Sequence, residues 1–333
     1  MNPGECEKLA DNILLYIRST KKVRRVNFLL KKFKTPAEDI ISALILIESW
    51  GYKIRKSKRT KFSDIIFVSA PDSLNSTEIG YQLNTKTIGK KIYAFQSVKS
   101  TNDIASQLAE NCEPEGTIVT AEKQTKGKGR FGRKWYSPLQ AGIYLSIILK
   151  PKFKTELAPG ISIMTALALA DAINEYCPGK VQIKWPNDIL ISGKKTAGIL
   201  TELSADRNKI KHIIVGIGIN VNHKTENFPE NILKTATSLR IANHKKIDRI
   251  ELLKKFLINF EKEYTLYKKH QLKASHKKII KYSSLIGTTV KLTSGKKVVI
   301  GKAVDIDKTG GLIIEKDGNR ITVSSGEVTV VKD

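Results

Sequence analysis

Residues 181–222 read VQIKWPNDILISGKKTAGILTELSADRNKIKHIIVGIGINVN. Four apolar runs, 181–185, 189–192, 195–203 and 212–221, are separated only by short polar turns, which is the pattern of successive β-strands. Turns this short favour antiparallel pairing. Runs of the same type recur upstream at 91–98, 116–122 and 141–149. Helical spacing interrupts them near 101–111 and 160–176, and a long helix is predicted at about 248–269. Residues 91–283 therefore read as an α+β domain on a mixed, mainly antiparallel sheet.

Downstream, residues 284–333 are short strands broken by Gly, Asp and Lys turns, with the hairpin signal Asp-Gly at 317–318, and predict a small β-barrel. Upstream, Leu9, Ile13, Leu14 and Ile17 recur at helical spacing, as do Val26, Leu29, Leu30 and Phe33. A third helix is predicted from Thr35 as N-cap and Pro36 as first helical residue, with Ile40, Ala43, Leu44, Ile47 and Trp50 on one face and Gly51 as the stop. A β-hairpin with a basic tip follows at 53–71. Helix, helix, helix, wing is the order of a winged helix-turn-helix domain over residues 1–70. Residues 71–90 are polar and turn-rich and read as a linker.

Of the 333 residues, 58 are basic and 32 acidic, a net charge of +26 that suits nucleic acid or anionic substrates. The basic residues are 47 Lys and only 11 Arg, so adenine-rich codon drift is an alternative source of the charge. The first seventy residues hold 15 basic and 7 acidic side chains, a net of +8. Cys6, Cys112 and Cys177 are odd in number and far apart, which argues against a disulfide framework and for a reducing, cytoplasmic setting. No signal peptide, no run near the roughly 20 apolar residues of a membrane helix and no metal cluster is expected.

Four segments carry candidate chemistry. Residues 124–135, QTKGKGRFGRKW, place Gly127, Gly129 and Gly132 among Lys128, Arg130, Arg133 and Lys134; such a loop suits a phosphate, and equally a solvated basic turn. Residues 184–188, KWPND, set Lys184, Asn187 and Asp188 where one strand ends and the next begins, with an Asx turn as the plain reading. Lys195 opens KTAGILTE, and VGIGINVN at 215–222 places Gly216 and Gly218 inside a strand, where a ligand or another backbone can approach closely. Ser100 and Asp103 have the spacing of a capping box, and the same helix start offers hydroxyls and free amides to a polar ligand.

Together, in this order, STN, Q-x-x-G-K-G-R-x-G-R-x-W, KWPND with K-x-x-G-I-L-x-E, and G-x-G-I-N-V resemble the biotin protein ligases, and the flanking domains resemble the bifunctional form that is also the biotin operon repressor. The resemblance covers essentially the whole chain. It implies a class II synthetase-like catalytic domain between the winged helix and an SH3-like barrel. It implies that biotin's carboxylate attacks the α-phosphorus of ATP, with Mg2+, to give biotinoyl-5′-AMP, and that a lysine of a biotin carboxyl carrier protein then takes the biotinoyl group.

Carried over residue by residue, Ser100, Thr101, Asn102 and Gln124 would hold biotin. Lys128, Gly129, Arg130 and Lys195 would close over its carboxylate and the phosphate. Gly127, Asn187, Gly216, Gly218 and Asn220 would border the adenylate, and Arg130, Lys195, Lys184 and Asp188 would be catalytic, Asp188 orienting or deprotonating the incoming lysine. Lys128 stands where the family pattern has Arg, so a two-pronged contact becomes a point charge. The resemblance also implies operator DNA as a partner and a homodimer. Glu38 and Asp39 at the start of the presumed recognition helix are poor base readers, leaving open a monofunctional ligase with an idle or non-specific winged helix. A ligand-sensing transcription factor and a lipoate ligase are further alternatives.

Overall fold

The structure, a computed structural model, describes residues 1–20, 24–57, 64–295 and 297–331. The chain divides into two compact units, Met1–Ser73 and Leu74–Asp333.

In the first unit, α1 (Pro3–Thr20), β1 (Arg24–Arg25), α2 (Val26–Phe33) and α3 (Ala37–Ser49) precede β2 (Lys53–Ser57) and β3 (Asp64–Ser69), which form an antiparallel three-stranded sheet in the order β1-β3-β2. The predicted helical stripes make the core: Ile13, Leu14, Ile17, Leu29, Ile40, Ala43, Leu44 and Ile47 are buried together with Tyr52 and Ile65. Each fully buried aliphatic side chain contributes about 1.5–3 kcal/mol. The start of α3 falls one residue later than predicted. Pro36 is itself the N-cap, with extended backbone at φ −55° and ψ 155°, and no side chain caps the helix. The hairpin is present, and its predicted basic tip at 58–63 lies outside the described residues.

The second unit begins earlier than the sequence suggested. Instead of a linker, residues 74–88 hold α4 (Ser76–Gly80), and Leu74, Ile79, Leu83 and Ile88 are buried in the main core. Side chains satisfy the backbone there: Asn75 Oδ1 accepts from Glu78 N, and Glu261, from far along the chain, accepts the amides of Lys86, Thr87 and Ile88 at 2.7, 2.6 and 2.9 Å. Composition alone does not distinguish such a turn from a linker.

The seven-stranded sheet of the second unit comprises β4 (Ile92–Phe95), β5 (Ile118–Ala121), β6 (Gly142–Leu149), β7 (Val181–Lys184), β8 (Asp188–Ile191), β9 (Lys194–Asp206) and β10 (Lys209–Asn220), in the order β4-β5-β6-β10-β9-β8-β7. Only β4 and β5 pair in parallel. Helix α5 (Thr101–Glu110) covers one face through Ala105 and Ala109 on Val119, Ile148 and Ile214. On the other face, α6 (Ala158–Asn174) packs in the large core with the odd-numbered residues of β6 and β10. Contrary to expectation, one segment, Thr155–Asn174, is long and apolar enough to cross a membrane by length and composition, but 78% of it is buried inside the protein as the central core helix.

After the short helices α7 (Glu230–Leu233) and α8 (Leu239–Asn243) comes α9 (Arg249–His270), which packs on α6 and is capped by Asp248 accepting from the amides of Ile250 and Glu251. Helix α10 (His276–Tyr282) leads to a five-stranded antiparallel sheet of β11 (Thr289–Ser294), β12 (Lys297–Ile306), β13 (Leu312–Lys316), β14 (Asn319–Val323) and β15 (Glu327–Val330), ordered β14-β13-β12-β11-β15. The predicted Asp-Gly hairpin joins β13 to β14, both turn residues having positive φ, 50° and 74°. This sheet is not a separate unit: Val290, Leu292, Leu312 and Ile314 belong to the same core as α6 and α9.

Candidate active site

Strand parity sets the site. Along β6 and β10 the odd residues enter the core, so Tyr144, Ser146, Gly216, Gly218 and Asn220 face the opposite side, with Gly216 opposite Ser146 and Gly218 opposite Tyr144. On β9, paired with β10, Gly198 lies opposite Gly218. The glycines make room for side chains that arrive from far away. A Cβ at Gly216 would lie 2.1 Å from Asn102 Oδ1, and one at Gly218 would lie 2.3 Å from Trp135 Nε1.

Over this floor, a cavity of about 1110 Å³ is lined by every site residue that the resemblance carried over, Ser100, Thr101, Asn102, Gln124, Gly127, Lys128, Gly129, Arg130, Lys184, Asn187, Asp188, Lys195, Gly216, Gly218 and Asn220, whereas Gly132 and Asp103 are not part of its lining. At one end is a buried polar network. Gln124 Oε1 accepts from Thr101 N and Thr101 Oγ1 at 2.8 and 3.1 Å, while its Nε2 donates to Ser137 Oγ at 3.0 Å. Ser146 Oγ lies 2.8 Å from Thr101 Oγ1 and 2.6 Å from Asn102 Oδ1, and Asn102 Nδ2 donates to Glu202 at 2.6 Å. These bonds orient Thr101, Asn102 and Gln124 before any ligand arrives, which lowers the ordering cost of binding.

At the other end the groups are charged. Arg130 Nη1 donates to Asn187 Oδ1 at 2.9 Å and its Nη2 to the Gly326 carbonyl at 3.4 Å, and Asn187 Nδ2 holds the Ile199 carbonyl at 2.9 Å. Burial pushes the Arg130 guanidinium below its ordinary range, and the charges of Asp188 and Glu327 oppose that shift. Lys195 Nζ sits 2.7 Å from Asp188 Oδ1, an ion pair by distance without the alignment of a hydrogen bond. Lys195 also lies over the Trp135 ring, 5.5 Å from its centroid, and the buried Trp135 Nε1 has no acceptor among the described residues.

The loop from Gly127 to Trp135 is a folded hairpin whose tip, residues 131–134, remains exposed: Trp135 N donates to Gly127 O at 2.9 Å and Gly129 N to Arg133 O at 2.7 Å. Two expectations change here. Ser100 is the N-cap of α5 but makes no side-chain cap bond, and Asp103, instead of closing a capping box, pairs with Lys128. That hydrogen bond raises the Lys128 ammonium above its ordinary range. Lys128 therefore begins on protein carboxylate. Asn220 is 5% exposed and donates to Thr237 O at 3.2 Å, which fixes the neighbouring loop.

Ser146, Ser137, Glu202 and Glu327 were not singled out from the sequence. Ser146 had a signal, being a lone polar residue in the apolar run 142–149, and Glu202 closes KTAGILTE. Glu327, which pairs with Arg133 from the C-terminal sheet, had none, because 194 residues separate the partners.

Comparison with known proteins agrees with this geometry. The biotin/lipoate A/B protein ligase family model matches residues 94–220, and the biotin protein ligase C terminal domain model matches residues 285–331. The bifunctional ligase/repressor BirA of Bacillus spizizenii is 37% identical over 265 residues, covering 80% of this chain and 81% of that one. The biotin–[acetyl-CoA-carboxylase] ligase of Mycobacterium tuberculosis is 32% identical, covering 69% and 85%. Among solved structures, the Aquifex aeolicus biotin protein ligase in complex with biotin and ATP superposes with a TM-score of 0.63 at 33% identity, over 73% of this chain and all of that one. A catalytic sheet with its polar and cationic cavity, both family models and a 37% identical relative converge: the chain belongs to the biotin protein ligase family.

Proposed function

We propose that the cavity joins biotin to ATP and passes the product to a carrier-protein lysine. The observation that supports this best is the juxtaposition of a neutral, pre-bonded polar network (Thr101, Asn102, Gln124, Ser146) with Arg130, Lys195, Lys184 and Lys128 in one cavity. A ureido ring needs directed neutral donors and acceptors, whereas a carboxylate meeting a triphosphate needs positive charge. A biotin carboxylate oxygen bonds to the α-phosphorus as the bond to the β-phosphate oxygen breaks, releasing pyrophosphate. The carrier's lysine amine then bonds to the acyl carbon, AMP leaves, and the amine gives up a proton.

In this reading Ser100, Thr101, Asn102 and Gln124 hold biotin, and Gly127, Gly129, Asn187, Gly216, Gly218 and Asn220 border the adenylate. Arg130, Lys195 and Lys184 offset phosphate and carboxylate charge. Asp188, already beside Lys195, orients or deprotonates the amine. Among the described residues no three His, Cys, Asp or Glu side chains gather to hold a metal ion, so magnesium enters bound to the nucleotide substrate. Incubation with MgATP, labelled biotin and a carrier domain tests the reading; no transfer overturns it, and efficient competition by lipoate would reassign the substrate.

Residues 1–70 we read as a winged helix-turn-helix that binds operator DNA in response to biotin, residues 284–333 as an SH3-like domain, and the protein as a cytoplasmic ligase able to dimerise. One observation favours the second reading, an idle or non-specific DNA unit. The outer face of α3 presents Glu38, Ile41, Ser42 and Ile45, the isoleucines 52% and 58% exposed, and none of these is an Arg, Lys, Asn or Gln that could read a purine edge through two hydrogen bonds. A gel shift on the upstream region of the chain's own gene, with and without biotin and ATP, separates the two.

A further inference from the structure

Residues 261–308 contain twelve lysines and no arginine against four carboxylates, Glu261, Glu263, Asp305 and Asp307. All four carboxylates are committed within the protein. Glu261 accepts three backbone amides of residues 86–88, and the buried Glu263 accepts Ser275 Oγ at 2.5 Å. Asp305 lies 2.6 Å from His276 Nε2, and Asp307 Oδ1 accepts from Thr309 and Gly311 in its own turn.

Lys268 and Lys278 pair with Glu115 and Asp171, from outside the segment. Lys269, Lys273, Lys277, Lys281 and Lys308 are exposed, and among the described residues none has a carboxylate at ion-pair distance. Tertiary structure gathers them. Lys269 and His270 at the end of α9, and Lys273 in the turn just beyond it, meet Lys308, from the turn between β12 and β13, around one open cavity of about 570 Å³. Gln271, in its lining, has the strained backbone φ 57°, ψ −148°, and the amide of Leu272 donates to the Lys308 carbonyl at 3.2 Å, fastening the helix end to the turn. Lys277 and Lys281, one helical turn apart on α10, add two further exposed ammonium groups on the element that follows. A helix C-terminus attracts cations, which accounts for Lys269 and His270. It does not account for Lys308, which comes from another element, nor for lysines beyond the helix end.

We propose that this face of the ligase unit is a sequence-independent contact surface for the phosphodiester backbone of duplex DNA. Lysine ammonium groups are point charges that neutralise phosphate without reading bases, and spread over two helices and a turn they match a line of charge better than a single anion. The aromatic residues of this segment, Tyr264, Tyr267 and Tyr282, are not exposed, so nothing offers stacking to single-stranded bases. The surface is independent of the DNA contact read for residues 1–70.

The test uses the full chain and a 30-base-pair duplex of arbitrary sequence, titrated by fluorescence anisotropy between 50 and 200 mM salt. Replacing Lys269, Lys273, Lys277, Lys281 and Lys308 by Gln lowers the log–log salt slope by about 4.5, at roughly 0.9 for each phosphate no longer neutralised, with biotin transfer unchanged. A parallel Lys31→Gln, Lys32→Gln, Lys34→Gln variant lowers the slope further and separately, which keeps the two surfaces distinct. As a control, five other exposed lysines, 152, 180, 209, 211 and 316, are replaced in the same way. Equal weakening in the control set makes the effect one of net charge and overturns the proposal. So does absence of duplex binding, or retention of poly-glutamate or phosphatidylserine vesicles in preference to the duplex.

Discussion

Arg130 Nη1 donates to Asn187 Oδ1 across 57 residues of sequence, and Asn187 in turn holds the Ile199 carbonyl of β9. The glycine-rich loop is thereby anchored to the end of the catalytic sheet through one amide. A loop that must close over two anions gains from such an anchor, because a small displacement of the guanidinium weakens its charge stabilisation steeply.

Asn187→Ala removes this tie and leaves the half-buried guanidinium with only the Gly326 carbonyl, at 3.4 Å, as acceptor. A hydrogen bond to a charged group contributes about 1.5–3 kcal/mol, so kcat/KM for adenylate formation should fall about 10- to 150-fold while the melting temperature moves little. Pyrophosphate release measures this, and a loss under threefold would show that the loop needs no anchor. Arg130→Gly should let the adenylate escape and label lysines indiscriminately; labelling confined to the carrier protein in a mixed lysate would remove that role from Arg130.

The two glycines of β10 should separate the halves of the site. Gly216→Ala forces Asn102 from its place and should weaken biotin binding by tenfold or more, whereas Gly218→Ala displaces Trp135 and should weaken nucleotide binding first. Calorimetric titration with each ligand checks the order, and equal losses of both ligands in both variants would contradict it.

Arg249 and Glu122 form an ion pair with side chains 0% and 2% exposed, at 2.7 Å, and Glu122 also accepts the Leu74 amide at 2.6 Å. Removing one partner strands a buried charge. Arg249→Met should cost about 3–5 kcal/mol in urea unfolding. Adding Glu122→Gln, which keeps an acceptor for Leu74 but removes the charge, should recover part of that loss, and a simple sum of the two single effects would show that the pair is not coupled.

His223 is 0% exposed, stacked on Phe228, and burial holds its imidazole down at about 4, against 6.5 for a free histidine. Between those values the unfolded chain binds a proton that the folded chain does not. The contribution of His223 is therefore full above pH 6.5 and is lost as the pH falls toward 4, by about 3 kcal/mol over the interval. Comparing wild type with His223→Phe from pH 7 to pH 4.5, the wild type should lose the larger share of its stability; parallel pH profiles would place the titration elsewhere.

The period of two along β10 already dictates that Gly216, Gly218 and Asn220 share one face, because alternation is a local property of extended chain. Helical stripes such as Ile13, Leu14 and Ile17 were legible for the same reason. The stretch 74–88 was not, since its backbone amides are satisfied by its own Asn75 and by Glu261 of a distant helix, which composition does not reveal. Nor does local sequence say what fills the space above a glycine. Asn102 and Trp135 occupy it, Ser146 and Glu202 orient Asn102, and Asp103 turns from its expected capping role to Lys128. The sequence by itself determined which residue types and strand faces were available to handle an anion. Only the tertiary structure decided which of them meet, because contacts between residues a hundred positions apart follow from sheet order and helix packing, and no local period encodes those.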